Sequence, residues 1–183
     1  MISRQKLIDA LDKNSDKVKY HGYHNVYAES LPEKVDVLLE IGISIDGSNK
    51  SSLNGWSQIY PKAEIIGLDN DDSKLINRDN IKSYLVDQSS ADSLSKFLDE
   101  WSGQADVIID DGSHNINDYL LTYSMFISRL KKNGVYFIED IWSGSVLEEV
   151  KSFFANFEDI ECIYHDRTST NNPDSIILEI RKK

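Results

Sequence analysis

The sequence predicts an α/β fold in which a mostly parallel sheet of seven strands carries helices on both faces and ends in an antiparallel hairpin. Two observations support this prediction. Apolar strand segments alternate with helical segments five times over short connections, which is the pattern of parallel βαβ units. The last two apolar segments, residues 160–164 and 176–180, have no helix between them, so they should pair as a hairpin at one sheet edge.

The individual elements follow from periodicity and end signals. The predicted helices are residues 3–14, 48–59, 91–101, 116–130 and 146–157, with at most two helical turns at 72–78. The predicted strands before the hairpin are residues 35–41, 65–68, 81–86, 107–109 and 135–138, and residues 17–30 are a connector. Asn133-Gly134 is expected to end the helix 116–130 in a left-handed turn.

Composition favours one domain over residues 1–183, with residues 1–30 as an N-terminal helix and connector. No apolar stretch approaches a membrane span, and the single cysteine, Cys162, fits a reducing compartment, so a cytoplasmic enzyme is expected. The net charge of −11 and the scattered lysines disfavour a nucleic-acid partner, while the acidic character suits a cationic ligand.

Two predicted strands end in paired acids. Asp110 and Asp111 follow the fourth strand with His114 close behind, and Glu139 and Asp140 follow the fifth. Ligands of open α/β sheets bind outside the carboxyl ends of the strands, and such acids suit a hard divalent cation with a base beside it. Helix capping is the alternative, but capping does not predict two adjacent acids at both strand ends.

The first strand leads into a glycine-containing turn. Glu40 precedes Gly42, and Ser44 occupies the middle glycine position of a G-x-G-x-x-G dinucleotide fingerprint that ends at Gly47. This departure disfavours a nicotinamide cofactor, whose pyrophosphate needs close backbone approach. S-adenosylmethionine has no pyrophosphate, so its sites tolerate the loop more easily.

The next two strand ends complete a predicted nucleoside site. Asp69, followed by Asn70, can accept hydrogen bonds from both hydroxyls of a ribose, and Asp87-Gln88 stand where polar side chains commonly meet adenine. The alternative is that residues 69–72 form only a solvated acidic loop. Asp110 is a further candidate for the cofactor pocket.

The sequence resembles class I S-adenosylmethionine-dependent methyltransferases, whose fold is Rossmann-like, and within them the metal-dependent sugar O-methyltransferases of macrolide tailoring. The matching segments are residues 39–42, 87–88, 110–114 and 134–140, and related small enzymes carry a stretch similar to residues 15–23. The macrolide enzymes are longer, and the glycine-rich loop is thinner here.

The resemblance implies S-adenosylmethionine as cofactor and a magnesium ion held by Asp111, Glu139 and Asp140. Because these ligands supply only oxygen, manganese or calcium would also be accepted. It also implies that His114 is the general base and that Asp111 takes part in catalysis beside it. His21 is a weaker candidate for the cofactor pocket, because a lone histidine in aromatic surroundings is more often structural.

The sequence therefore predicts a metal-assisted O-methyltransferase that acts on a hydroxyl of a sugar, glycoside or similar polyol. Two alternatives stay open: a nicotinamide-dependent oxidoreductase on the same architecture, and a non-catalytic cofactor-binding module. A chain without a lid domain could also need a partner subunit, so a homo-oligomer is a further expectation.

Overall fold

The computed structural model describes residues 2–43, 51–168 and 173–183. Its strands are β1 (Val37–Ile41), β2 (Glu64–Asp69), β3 (Ile81–Leu85), β4 (Ala105–Asp110), β5 (Leu130–Ile141), β6 (Ile160–Asp166) and β7 (Ile176–Lys182). Its helices are α1 (Arg4–Leu11), α2 (His24–Ser30), α3 (Ser52–Ile59), α4 (Ala91–Glu100), α5 (Ile116–Phe126) and α6 (Ser145–Phe154).

The seven strands form one sheet in the order β3-β2-β1-β4-β5-β7-β6. The strands from β3 to β5 pair in parallel, and β7 pairs antiparallel with both β5 and β6. The predicted fold class and the antiparallel C-terminal hairpin are therefore confirmed. β1 pairs with β2 on one side and with β4 on the other, so the order of the strands in the chain reverses beside β1. Ligands of such sheets bind at this switch point.

Apolar side chains fill both faces of the sheet. One core packs residues of α1, α2 and α3 against one face, and the other packs residues of α4, α5 and α6 against the opposite face. The central strand β4 contributes to both, since Val107 and Ile109 lie in the first core and Ile108 in the second. This arrangement explains why the strand reads as a continuous apolar run in the sequence.

The prediction for the end of the fifth helix was wrong. The helix α5 ends at Phe126, a 3₁₀ turn covers Ile127–Arg129, and β5 already begins at Leu130. Asn133 has the expected left-handed backbone, with φ of 65°, but it lies within β5 near a register shift against β4. Asn133-Gly134 thus lies at an irregularity in the pairing of β4 and β5.

The N-terminal connector is more structured than expected. It contains the helix α2, and residues 16–23 form a series of turns. In these turns the His21 N–H donates to the Asp16 carbonyl oxygen, and the Tyr23 N–H donates to the Lys17 carbonyl oxygen. Three of its side chains, Lys17, His21 and Tyr23, are buried against residues of the strand ends. In the described ranges, no helix is long and apolar enough to cross a membrane.

Candidate active site

Two adjoining clefts open at the carboxyl ends of the parallel strands. The β2–β3 cleft, which β2 and β3 border, has a volume of about 270 Å³, and the β4–β5 cleft has a volume of about 220 Å³. Both are lined by Gly42, Asp111 and Gly112. A ligand that extends from one cleft to the other would therefore pass over these three residues.

Most of the predicted cofactor residues line the β2–β3 cleft. They are Gly42, Asp69, Asn70, Asp87 and Gln88. The structure therefore brings together the three strand ends that the sequence singled out as a nucleoside site. Ser44, the remaining predicted residue of the glycine-containing turn, lies outside the described residues.

The carboxylate of Asp69 is fixed by backbone groups on both sides. Its Oδ2 accepts a hydrogen bond from the Ile43 N–H at 3.2 Å, and its Oδ1 accepts one from the Asp71 N–H at 3.0 Å. A carboxylate offers about four lone-pair positions, so two remain for a ligand. Asp69 is therefore held at the end of β2 in a form that can still accept hydrogen bonds from a diol.

Gln88 is held by a buried acid and a backbone donor. Its Nε2 donates to Asp110 Oδ1, and its Oε1 accepts from the Ser113 N–H at 2.8 Å. Burial raises the pKa of Asp110 from 3.8 to about 8. Asp110 does not line either cleft in the described part of the chain; it lies behind Gln88 and orients the amide.

Glu40 is likewise behind the clefts. Its Oε2 accepts hydrogen bonds from Ser52 Oγ at 2.6 Å and Trp56 Nε1 at 3.0 Å, and the side chain is fully buried. These bonds tie the end of β1 to the helix α3. In the described ranges Glu40 lines neither cleft, so its predicted contact with a cofactor stays a prediction.

The β4–β5 cleft contains the acid and histidine residues expected of a reactive site. Asp111, His114 and Asp140 each offer one ligand atom within 4.8 Å of the other two. His114 Nε2 lies 3.4 Å from Asp111 Oδ1 and 3.6 Å from Asp140 Oδ2. The imidazole therefore stands between carboxylates from the ends of two neighbouring strands.

The backbone around this cleft is strained. His114 and Asp140 both have φ of 55°, and Gly42 has φ of 78°. The left-handed conformation costs a non-glycine residue about 1–2 kcal/mol, and such costs concentrate at functional sites. At Gly42 a Cβ atom would lie 2.0 Å from the Asp111 carbonyl oxygen, so only glycine allows the ends of β1 and β4 to approach this closely.

A buried lysine links the acids of three strand ends. Lys17 is fully buried, and its Nζ lies 2.6 Å from Glu139 Oε2 and 3.2 Å from Glu40 Oε1, and also contacts Asp111 Oδ2. Burial of the ammonium opposes its charge, but the three carboxylates outweigh that and raise the pKa of Lys17 above its ordinary value. Glu139, a predicted metal ligand, is thus bonded to Lys17.

Two aromatic side chains of the connector hold Asp140. The Tyr23 hydroxyl donates to Asp140 Oδ1 at 2.7 Å, and His21 Nδ1 lies 3.4 Å from the same oxygen. The His21 ring stacks on Tyr23 at 5.1 Å, and its Nδ1 is 3.1 Å from Ser175 Oγ. His21 therefore lies behind Asp140, and among the described residues it lines neither cleft.

The crowding of negative charge perturbs the acid and base groups. Burial and the charge of Asp111 raise the pKa of Asp140 to about 6, and burial raises the pKa of Glu139 to about 7. Burial opposes the charged form of His114, but the hydrogen bond to Asp111 and the charges of Asp111 and Asp140 raise its pKa to about 9. The protein groups of the site therefore carry an excess of negative charge.

These features fit a divalent cation. Two carboxylates converge with an imidazole, and the buried Glu139 Oε1 has no hydrogen-bond partner among the described residues. Oxygen-rich ligand sets select magnesium, manganese or calcium over zinc. A cation between Asp111 and Asp140 would also relieve the repulsion that raises the pKa of Asp140.

Comparison with curated sequences finds O-methyltransferases. No family model matches the chain. The mycinamicin VI 2''-O-methyltransferase of Micromonospora griseorubida is 33% identical over 113 residues, which are 58% of this chain and 27% of that protein. The demethylmacrocin O-methyltransferase of Streptomyces fradiae is 31% identical over 125 residues, 66% of this chain and 31% of that protein. The chain is related to these macrolide sugar O-methyltransferases.

Solved structures agree on the fold. The MycE methyltransferase of mycinamycin biosynthesis, in complex with Mg and SAH, superposes with a TM-score of 0.78 at 22% identity over 97% of this chain and 54% of MycE. This chain therefore has the class I methyltransferase fold that the resemblance implies. The chain spans about a third of the length of the curated relatives it matches and about half of MycE.

Sequence reasoning missed Lys17 and Tyr23. Lys17 belongs to the scattered lysines that disfavour a nucleic-acid partner, yet its side chain is fully buried. A usable signal existed, because four acids predicted at buried strand ends require a counter-charge. The stretch of residues 15–23 that contains both side chains was recognised as similar to related enzymes, but no role was assigned to them.

Proposed function

We propose that this chain transfers a methyl group from S-adenosylmethionine to a hydroxyl of a sugar or glycoside, with the assistance of a divalent metal ion. The main support is the junction of the two clefts at Gly42 and Asp111, where a site suited to a nucleoside meets a cluster of acids and a histidine. The related sequences named above, which are sugar O-methyltransferases, support the same reaction.

The cofactor would bind across the β2–β3 cleft. Asp69 would accept hydrogen bonds from the ribose hydroxyls, while Asp87 and Gln88 would contact the adenine. S-adenosylmethionine supplies an electrophilic methyl group on a positively charged sulfur. The acids at the shared wall of the clefts favour that positive charge, which is the electrostatic reason to place the sulfonium near Asp111.

The metal would be held by Asp111 and Asp140, with Glu139 as the third predicted ligand. A bound divalent ion lowers the pKa of a hydroxyl that it contacts. Asp111 and Asp140 come from different strands, so together they fix one side of the acceptor position. His114 lies between them and is therefore close to any hydroxyl group bound there.

His114 would take the proton of the acceptor hydroxyl. Its pKa of about 9 without a metal would keep the ring protonated at neutral pH. The negative charges that raise this pKa, those of Asp111 and Asp140, are the charges that a divalent cation neutralises. The proposed base therefore depends on the proposed metal, because His114 would lose its proton near neutral pH only when the cation is bound.

The acceptor class rests on the relatives. MycE has a structure in complex with Mg, SAH and mycinamycin VI, and we propose a glycoside or sugar as the acceptor here as well. Trp142 follows β5 two residues after Asp140 and is 47% exposed, so its ring offers a surface on which a sugar can stack.

The deciding experiment is mass spectrometry of products after incubation with S-adenosylmethionine and a panel of glycosides and nucleotide sugars, with and without EDTA. We expect a mass gain of one methylene unit on an acceptor, lost on chelation and restored by magnesium. Full activity in metal-free buffer would refute the metal, and tighter binding of NAD than of S-adenosylhomocysteine in a thermal shift assay would refute the reaction.

A further inference from the structure

We infer that Lys17 is a positioning residue whose buried ammonium group serves as a fixed cation beside the metal site. Because it binds one carboxylate oxygen of Asp111, it leaves that residue with one oxygen for the metal. The inference rests on the metal of the proposed function and concerns the residue that controls how the metal is bound. It draws on a side chain that contacts three of the acids and, as far as the described ranges show, lines neither cleft.

The surroundings of the ammonium group resemble an ion site. Lys17 Nζ contacts carboxylate oxygens at the ends of three adjacent strands: Glu40 of β1, Asp111 after β4 and Glu139 of β5. Both Glu40 and Glu139 are buried, so their charges need a partner inside the protein. In the described ranges, the ammonium is the only cation that contacts all three of these acids.

Asp111 is shared between this position and the β4–β5 cleft. Its Oδ2 contacts Lys17, while its Oδ1 faces His114 Nε2 at 3.4 Å. Lys17 therefore keeps the carboxylate from turning both oxygens toward a metal ion, and the orientation that it imposes points Oδ1 at the histidine. Lys17 also holds Glu139 Oε2, while Oε1 of that side chain has no hydrogen bond within the described part of the chain.

The consequence is a limit on metal affinity. A fixed positive charge next to a divalent ion repels it, and the carboxylate oxygens bonded to the ammonium are unavailable as ligands. Removal of the ammonium should therefore make metal binding tighter. It should also lower turnover, because an Asp111 that chelates with both oxygens no longer orients His114. A lysine that served only to support the fold would not produce this pair of opposite changes.

The test compares Lys17→Met with wild type by electron paramagnetic resonance and calorimetry of Mn²⁺ binding. We expect Mn²⁺ affinity to rise by at least about tenfold, with reduced methyl transfer and a melting temperature that is lower without metal and largely recovered with it. The matched control is Lys131→Met. Lys131 also bridges two carboxylates, those of Asp36 and Asp106, but at the opposite end of the sheet, so Mn²⁺ affinity should not change.

A second variant covers the case in which Lys17→Met does not fold. Lys17→Met combined with Glu40→Gln removes one positive and one negative charge, which leaves the net charge of the buried cluster unchanged and retains every proposed metal ligand. Mn²⁺ should still bind more tightly than to wild type. Equal or weaker binding in the folded variants, with normal binding in wild type, overturns the inference alone. Absence of Mn²⁺ binding from wild type and variants overturns both the inference and the proposed metal.

Discussion

The two clefts use the same kind of residue, an acid at a strand end, in different ways. In the β2–β3 cleft the carboxylate of Asp69 is bound by backbone N–H groups of nearby loops. In the β4–β5 cleft Asp111 and Asp140 are bound by side chains of the N-terminal connector, about a hundred residues away in sequence. The first arrangement favours hydrogen bonding to a neutral ligand, while the second concentrates charge for a cation.

This difference predicts that the cofactor and the metal can be lost separately. Asp69 is held by backbone donors, whereas Asp111 and Asp140 of the β4–β5 cleft depend on side chains that are distant in sequence. The residues at the shared wall are the exception, because a change there affects both clefts. The predictions below begin with that wall.

Gly42→Ala should give the largest loss and affect both clefts. The new Cβ would lie 2.0 Å from the Asp111 carbonyl oxygen at a φ of 78°, so β1 and β4 would have to separate. Strain and overlap together should cost on the order of 2–4 kcal/mol of stability. Melting curves and binding of both S-adenosylhomocysteine and Mn²⁺ should report the change.

Gly144→Ala is the matched control for that variant. Gly144 has a φ of 83°, but no atom of the described residues lies within 4 Å of its would-be Cβ. It therefore isolates the backbone strain from the overlap, and it should leave binding in both clefts intact. Equal damage from the two variants would show that close approach at Gly42 is not required.

His114→Ala should abolish most turnover and leave the β2–β3 cleft unchanged. Loss of a general base lowers the rate by roughly 10²–10⁴-fold, and the affinity for S-adenosylhomocysteine should stay at its wild-type value. Single-turnover rates and calorimetry would measure the two effects.

The same variant distinguishes three roles of the imidazole. Loss of metal binding would identify His114 as a ligand, and a lowered melting temperature with near-normal turnover would identify a structural residue. The control is His24→Ala, which changes a partly buried histidine of α2 that lines neither cleft in the described ranges.

Asp69→Ala should produce the converse result at smaller magnitude. Removal of two charge-assisted hydrogen bonds to a ribose weakens binding by on the order of 2–4 kcal/mol at most. Calorimetry should show weaker S-adenosylhomocysteine binding with unchanged Mn²⁺ affinity. Asp92→Ala, on the exposed face of α4, is the control, and an unaltered cofactor affinity in Asp69→Ala would place the ribose elsewhere.

Asp110→Asn should have the smallest effect on ligand binding, and its effect should be seen in the pH dependence of stability. Because burial raises the pKa of Asp110 from 3.8 to about 8, the folded chain retains a proton that the unfolded chain releases between these values. This group therefore lowers stability as the pH rises through that window. Asparagine carries no such proton, so the melting temperature should fall less steeply between about pH 5 and pH 8; an identical slope would contradict the assignment.

Much of the fold was readable from the sequence because the signals are local. The apolar run of β4 and the helical periodicity of α4 correctly predict their elements. The end of α5 was not readable, because Asn133-Gly134 fits both a helix end and an irregular strand. Pairing of β5 with β4 and β7, which the local pattern does not contain, selects the strand.

The candidate site divides in the same way. The sequence by itself determined that Gly42, Asp69, Asp87, Asp111 and Asp140 meet at one edge of a sheet, because parallel strands place their carboxyl ends together. Only the tertiary structure decided which partner each acid has, and above all that Lys17 binds the acids of three strand ends. The physical reason is that burial removes water as a partner, so each buried charge must find its counter-charge in space, wherever in the chain that residue stands.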